Sequence, residues 1–244
     1  MFDGEEFAPS GPDRLPPVPD LIGYNVGVDR PLDNLVVLGR NLNPDNTLSP
    51  TLLKRTVAAV HLIACGAVSS ECCFSGGTDW RDAMAGNERQ PIGQAMLDYS
   101  DGLAEFYAQT GKPLPTSVER RAVNNSNSTA EDLSACKWNL GRGAVLGVLS
   151  DPLHHRFSRP ALLASKVFGK RVNIVPIAFE ESAPSRAGVL EELGNTFFTR
   201  AAMSVVHGGI NGNPDAVMNA QRRLERFNSR LPRKRSSPEA RMSE

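Results

Sequence analysis

Four short apolar runs and one mixed run recur between Asn34 and Ile177, each bounded by glycine or polar residues. Solid apolar runs are typical of strands that are buried on both faces, as in parallel sheets. The pattern predicts strands over residues 34–38, 71–74, 118–123, 143–149 and 172–177. Pro176 places the last strand at a sheet edge, or marks its end, because proline cannot donate to a neighbouring strand.

Between these runs, apolar residues recur at helical spacing. The predicted helices extend from Ser49-Pro50 to Gly66, from about Pro91 to Gly111, from Ser128 through Leu133, Cys136 and Leu140, and from Ser158 to Phe168. Alternating strands and helices imply parallel strands joined by right-handed crossovers. We therefore expect a Rossmann-like α/β fold with about five parallel strands and flanking helices.

The ends of the chain have a different character. Five prolines lie between Pro9 and Pro19, and residues 1–31 are predicted to be a flexible N-terminal segment. Residues 32–182 make the α/β domain. Two further apolar stripes predict a pair of helices over residues 183–231, packed on that domain, and residues 232–244 are predicted to be a flexible tail.

Composition narrows the class of protein. The 244 residues are 40% apolar and 22% charged, with 27 basic and 27 acidic side chains. This balance argues against a general nucleic-acid binder, which would carry a basic excess. No apolar run reaches the ~18 residues of a membrane span, and no signal peptide is recognisable. The expectation is a cytoplasmic protein with four reduced cysteines and a small-molecule ligand; its oligomeric state stays open.

Candidate chemistry lies in the loops that follow the strands, because open parallel sheets bind ligands beyond the carboxyl ends of their strands. Glycines there allow a ligand to approach the backbone, helix N-termini hold anions, and arginines such as Arg40, Arg156 and Arg159 form strong hydrogen bonds to them. The predicted site residues are Gly39, Arg40, Asn41, Ser75, Gly76, Gly77, Asn127, Thr129, Glu131, Ser150, Asp151, His154, His155 and Arg159. Together they predict a site for a nucleotide-like ligand.

Each of these features also has a purely structural interpretation. Ser75-Gly76-Gly77 can be a turn, and Ser128 with Glu131 can be a helix cap. His154 and His155 can be loop residues, and two adjacent histidines do not make a metal site. The chain has no GxGxxG after its first strand, no GxxxxGK[ST] and no GxSxG, so dinucleotide-type, P-loop and α/β-hydrolase sites are not indicated.

Five segments resemble, in order, the motifs of the ElyC/SanA/YdcF family. They are VVLGRNL (36–42), SPTLLKRTVAAV (49–60), FSGG (74–77), NSTAEDL (127–133) and LSDPLHHRFSRPALLAS (149–165). The resemblance implies a Rossmann-like fold and, for the soluble branch, binding of S-adenosylmethionine without an assigned reaction. The chain departs from the family at Arg40 and at Gln94, and the family's first asparagine is either displaced or supplied by Asn127. Arg159 lies later than the family's arginine, so either His155 takes the histidine role or the loop is lengthened.

The resemblance suggests roles for the loop residues. Gly39, Arg40 and the 75–77 loop would form the floor, Asn127, Thr129 and Glu131 would bind polar edges, and the 150–159 segment would face the reactive end. If a reaction occurs, a histidine is the expected general acid or base, because its pKa lies near neutrality. Transfer of a group from S-adenosylmethionine is then the first reaction to test. The alternatives are a hydrolase or transferase acting on a phosphorylated or glycan-linked metabolite, and a non-enzymatic ligand-sensing or interaction module.

Overall fold

The computed structural model describes residues 16–40, 42–78, 89–126 and 129–179. Within these ranges the chain forms six strands and five helices. The helical pair predicted for residues 183–231 and the tail over 232–244 lie outside the described residues, as do residues 1–15. No helix among the described residues is long and apolar enough to cross a membrane.

The elements alternate between strand and helix along most of the chain. In order they are β1 Leu21–Ile22, β2 Leu32–Leu38, α1 Pro50–Ala64, β3 Val68–Ser75, α2 Ile92–Gln109, β4 Glu119–Val123, α3 Thr129–Ala135, β5 Val145–Leu149, α4 Pro152–Phe157, α5 Pro160–Phe168 and β6 Asn173–Phe179. The predicted α/β class is confirmed.

The strands form one mixed sheet in the order β1-β6-β5-β2-β3-β4. Strands β2 to β6 are parallel, and β1 pairs with β6 in the antiparallel direction. From β2 the chain proceeds to β3 and β4 on one side, and then returns to add β5 and β6 on the other side of β2. The sheet therefore has a switch in strand order between β2 and β5, and the carboxyl ends of all five parallel strands share one edge, here named the C-terminal edge.

The core explains why these strands have solid apolar sequences. All five residues of β5 are buried, and so are Leu35 to Leu38 in β2. A strand with both alternating faces buried requires helices on both faces of the sheet. Gly147 lies in the middle of β5, where a Cβ would meet the side chains of Leu32 and Leu35 at 2.7 and 2.9 Å. Its missing side chain leaves room for the larger residues of β2.

The structure differs from the sequence prediction in the 150–168 segment. The helix expected from Ser158 to Phe168 is present as α5, but α4 precedes it where a loop was expected, because Asp151 caps α4 with Pro152 in its first turn. Arg159 separates the two helices with a left-handed backbone, at φ 51°. Such a conformation interrupts the helix, and Pro160 starts the next one.

Strands β1 and β6, at one end of the sheet, also differ from the sequence prediction. Residues 21–22 of the segment predicted to be flexible form β1, and Tyr24 is buried against the core, so apolar contacts order this part of the chain. Pro176 lies inside β6 and does not end it. Strand β1 pairs with Ala178 and Phe179, beyond Pro176, so the proline occupies a position where no hydrogen bond to β1 is required.

Candidate functional site

The loops after β2, β3, β4 and β5 contact one another along the C-terminal edge. The amide of Gly76 donates to the carbonyl of Val123 at 3.0 Å, which joins the loop after β3 to the end of β4. The hydroxyl of Ser75 donates to Asp132 in α3 at 2.8 Å. Together with the bond from Arg40 to Asp151, which are 111 residues apart, these bonds bring distant parts of the sequence to one edge.

The switch point between β2 and β5 holds two arginines and one carboxylate. Arg55, fully buried in α1, donates to the carbonyl of Leu38, to the carbonyl of Gly39 at 3.1 Å, and to Oδ2 of Asp151. Arg40 donates to the same Asp151 oxygen at 2.9 Å. The side chain of Arg40 is 17% exposed, whereas those of Arg55 and Asp151 are not exposed at all. Of this group, Arg40 is the member that a ligand from solvent can reach.

Asp151 is held as a carboxylate. Its other oxygen, Oδ1, accepts the backbone N–H of His154 at 2.7 Å and so caps α4. Burial alone raises the pKa of this carboxyl, but the charge of Arg55, the bond from His154 and the charge of Arg40 outweigh burial and hold the pKa well below its ordinary value. The negative charge of Asp151 therefore persists across the physiological range and fixes the direction of both guanidinium groups.

His154 lies between two hydroxyl groups. Its Nδ1 is 2.9 Å from Oγ of Ser150, and its Nε2 is 3.0 Å from Oγ1 of Thr129. Burial and the nearby charge of Arg55 lower the pKa of His154 to about 3. The ring is therefore neutral at pH 7, donating through one nitrogen and accepting through the other. The expected histidine with a pKa near neutrality is not found at this position, because the pocket penalises the charged ring.

His155 points elsewhere. Its Nε2 donates to the carbonyl of Ile177 in β6 at 2.9 Å, and burial lowers the pKa of this ring as well. The bond attaches α4 to the sheet. Of the two adjacent histidines, His154 is the one that contacts the loops of the C-terminal edge, while His155 serves the packing of α4.

A second carboxyl group, that of Asp132, lies at the ends of β3 and β4. Both Ser75 and Ser126 donate to its Oδ1. Burial raises the pKa of Asp132 to about 6, although the two serine hydroxyls and the charge of Arg55 act in the opposite direction. Compared with Asp151 and His154, Asp132 thus changes its charge much closer to neutral pH.

Glu131, the residue favoured by the sequence, is exposed, while its neighbour Asp132 is buried. Helical geometry explains the difference. Asp132 follows Thr129 by three residues and lies beside Leu133, so it shares the buried face of α3, whereas Glu131 points away from that face. The sequence contained this signal, because the predicted apolar stripe of the helix ran through Leu133 and Cys136.

Sequence reasoning also missed Arg55. In the sequence, Leu53, Val57 and Val60 recur at helical spacing and predict a single apolar stripe along α1. The structure buries a second stripe that includes Leu52, Ala59 and Ile63, and Arg55 belongs to that face. A helix with two apolar faces is covered on both sides, so an arginine that lies within one of these faces has to be paired.

The glycines of the site serve close backbone packing. A Cβ on Gly39 would lie 2.5 Å from the carbonyl oxygen of Ser75 and 2.9 Å from Cγ2 of Ile92. A Cβ on Gly77 would collide with the carbonyl of Ser126, to which the Gly77 amide donates at 2.8 Å. The amides of Gly76 and Gly77 are thus engaged by neighbouring loops. The sequence predicts that these glycines let a ligand approach the backbone. In the structure they instead let neighbouring loops pack closely against one another.

The remaining candidates lie at the margin. Arg159 is exposed, at the junction of α4 and α5. Asn41 and Asn127 lie outside the described residues, as does Ser128 of the expected cap. Within the described ranges, no three His, Cys, Asp or Glu side chains come together as a metal site would require.

Comparison of the chain with protein-family models, with curated proteins and with solved structures gives no match.

Proposed function

We propose that the chain binds a small anionic ligand at the switch point between β2 and β5. The observation that carries the proposal is the position of Arg40, which rests on the buried carboxylate of Asp151 and is partly accessible. A guanidinium oriented in this way can donate to a carboxylate or phosphate oxygen without first losing side-chain freedom. Ligands of open α/β sheets bind at such switch points.

S-adenosylmethionine or a related nucleotide is the first ligand to test. This choice rests on the resemblance of five chain segments to the ElyC/SanA/YdcF family and on a Rossmann-like arrangement of the parallel strands. A carboxylate or a phosphate of the ligand would contact Arg40. Hydroxyl and carboxyl side chains of the same edge, those of Thr129 and Asp132, are placed to bind polar groups farther along it.

Ligand binding is the primary function that we propose for this edge, and group transfer is a secondary one. The pKa of His154 is lowered to about 3 and both of its ring nitrogens are bonded, so a reaction at neutral pH would not use it as the proton acceptor. A transfer in which the ligand itself supplies the electrophilic group needs chiefly positioning, which the fixed side chains of this edge provide. Hydrolysis or transfer of a phosphorylated metabolite is the alternative, and it predicts binding of phosphorylated ligands alone.

A thermal-shift panel tests the proposal. It contains S-adenosylmethionine, its demethylated product, ATP, NAD and a sugar nucleotide, with the wild-type chain, Arg40→Gln and Arg142→Gln. Arg142 is exposed just before β5, at the opposite edge of the sheet, and serves as the matched control. We expect one class of ligand to raise Tm in the wild type and in Arg142→Gln, and to lose most of that effect in Arg40→Gln. Equal responses from all three proteins, or from none, would contradict the proposal.

A further inference from the structure

We infer that Asp132 is a ligand-binding residue of this edge, and that it accepts a hydrogen bond from the ligand through Oδ2. The inference rests on the proposed function and specifies the ligand class. Such a ligand carries an anionic group for Arg40 together with an amino, ammonium or hydroxyl donor for Asp132. Three properties of Asp132 support this role: the way its side chain is held, its position along the edge, and its charge.

The side chain of Asp132 is fixed in direction. Ser75, at the end of β3, and Ser126, after β4, both donate to Oδ1. Ser75 is fully buried and Ser126 nearly so, which makes these bonds inaccessible to competing water. Two donors on one oxygen orient the carboxyl group and leave Oδ2 as the oxygen that neither serine contacts. A ligand donor can therefore bind Asp132 without displacing the bonds that hold it.

Asp132 also belongs to the same edge as Arg40. It lies one turn after Thr129 in α3, and Thr129 contacts His154 at 3.0 Å. His154 in turn donates its backbone N–H to Asp151, the carboxylate that binds Arg40. The charge of Arg55 acts on both Asp132 and Asp151. One ligand that lies along the edge can contact the anion-binding arginine and the carboxyl group together.

The charge of Asp132 makes the inference measurable. Burial places its pKa at about 6, so the group is mostly ionised at about pH 7 and mostly protonated at about pH 5. Only the ionised form accepts a hydrogen bond at both oxygens. A buried carboxylate is costly unless donors surround it, so a ligand donor stabilises the ionised form and binds more tightly when that form is populated.

Calorimetric titration with S-adenosylmethionine and with NAD tests the inference, because the charges of these probes change little between about pH 5 and about pH 7. With the ionised fraction falling roughly tenfold over this range, the wild-type Kd should rise about tenfold at the lower pH. Asp132→Asn should bind about tenfold more weakly than wild type at about pH 7 and show little pH dependence. The variant keeps the shape of the side chain and an acceptor for both serines, and its Tm reports whether it folds.

Two serine variants exclude a general effect of pH on the site. Ser126→Ala removes a bond that favours the ionised carboxyl, so it should move the midpoint of the binding profile to higher pH. Ser134→Ala is the control, because Ser134 lies on the exposed side of α3 and donates to a backbone carbonyl of its own helix, at 2.8 Å. Its profile should match the wild type.

The outcomes separate the inference from the proposed function. A probe that binds through Arg40 but shows the same Kd and pH profile in Asp132→Asn overturns the inference and leaves the proposed function standing. A panel in which nothing binds overturns the proposed function and the inference with it. Binding that loses its pH dependence in Asp132→Asn and shifts its midpoint in Ser126→Ala supports both.

Discussion

The guanidinium of Arg55, in the first half of α1, donates to Oδ2 of Asp151, the second residue after β5, and neither side chain is exposed to solvent. The same guanidinium binds the carbonyls of Leu38 and Gly39 at the end of β2. Arg55 thereby joins α1 to the two strands between which the strand order switches. The candidate site is built on this buried pair, because Arg40 is oriented by the same carboxylate oxygen.

Breaking the ion pair between Arg55 and Asp151 should lower the free energy of unfolding substantially. Arg55→Met leaves a buried carboxylate with less compensation, and Asp151→Asn removes the negative charge that the buried guanidinium of Arg55 pairs with, so each should lower the free energy of unfolding by about 3–5 kcal/mol. The double variant should lose less than the sum, which a urea-denaturation cycle measures. Arg30→Met is the control: its 4.0 Å contact with Asp33 is exposed, and its loss should cost under about 1 kcal/mol. Additive losses would show that Arg55 and Asp151 do not interact.

Asp132 should destabilise the protein at neutral pH. Its pKa is about 6 in the folded chain, against 3.8 for an unperturbed aspartate, so the folded state holds the proton more tightly. Below about pH 4 the carboxyl does not lower the free energy of unfolding, and between about pH 4 and about pH 6 it lowers this free energy increasingly. Asp132→Asn should therefore raise the free energy of unfolding by about 1–3 kcal/mol at about pH 8 and hardly at all at about pH 4. A gain that does not depend on pH would refute the raised pKa.

His154 should make the protein less stable in acid, whereas Asp132 makes it less stable near neutrality. The pKa of His154 falls from 6.5 to about 3 on folding, so the unfolded chain takes up a proton that the folded chain refuses. The free energy of unfolding keeps its full value above about pH 6.5 and decreases as the pH falls below 6.5. His154→Gln should remove about 1.4 kcal/mol per pH unit of this loss between about pH 4 and about pH 6. In an NMR titration, the ring of His154 should remain neutral down to about pH 4, while an exposed histidine would titrate near 6.5.

The contact between Gly39 and the end of β3 should not tolerate a side chain. Gly39→Ala would force a methyl group against the carbonyl of Ser75, at 2.5 Å, and we expect a loss of about 1–3 kcal/mol. Gly141→Ala is the matched control, because no atom outside its neighbours lies within 4 Å of a Cβ at that position. Chemical denaturation of both variants measures the difference. Equal stabilities would mean that the loops after β2 and β3 can separate freely.

Much of the fold could be predicted from the sequence, because apolar runs and helical spacing respond to burial over short distances. Strands β2 and β5 follow this rule, with all or nearly all of their residues buried. The 150–156 segment does not, because its polar residues are typical of a loop. Asp151 and Pro152 start α4 there through a local cap, and the backbone of Arg159 interrupts the helix in a way that the spacing of apolar residues does not report.

The candidate site was predicted less completely than the fold. Ser75, Ser150, Asp151, Thr129 and His154 do meet at one edge, as their positions after parallel strands suggested. Arg55 and Asp132 were overlooked because both lie on helix faces that carry apolar residues. Glu131 was preferred to Asp132 on a motif, although the period of the helix turns Glu131 to solvent and Asp132 to the interior.

The amino-acid sequence by itself determined the α/β class, the parallel strands and the edge on which polar loops gather, since these follow from local patterns of burial and from the short connections between elements. Only the tertiary structure decided the protonation of the site. The pKa values of Asp132, Asp151 and His154 depend on how deeply each group is buried and on the distance to Arg55, and these distances join residues that lie far apart along the chain.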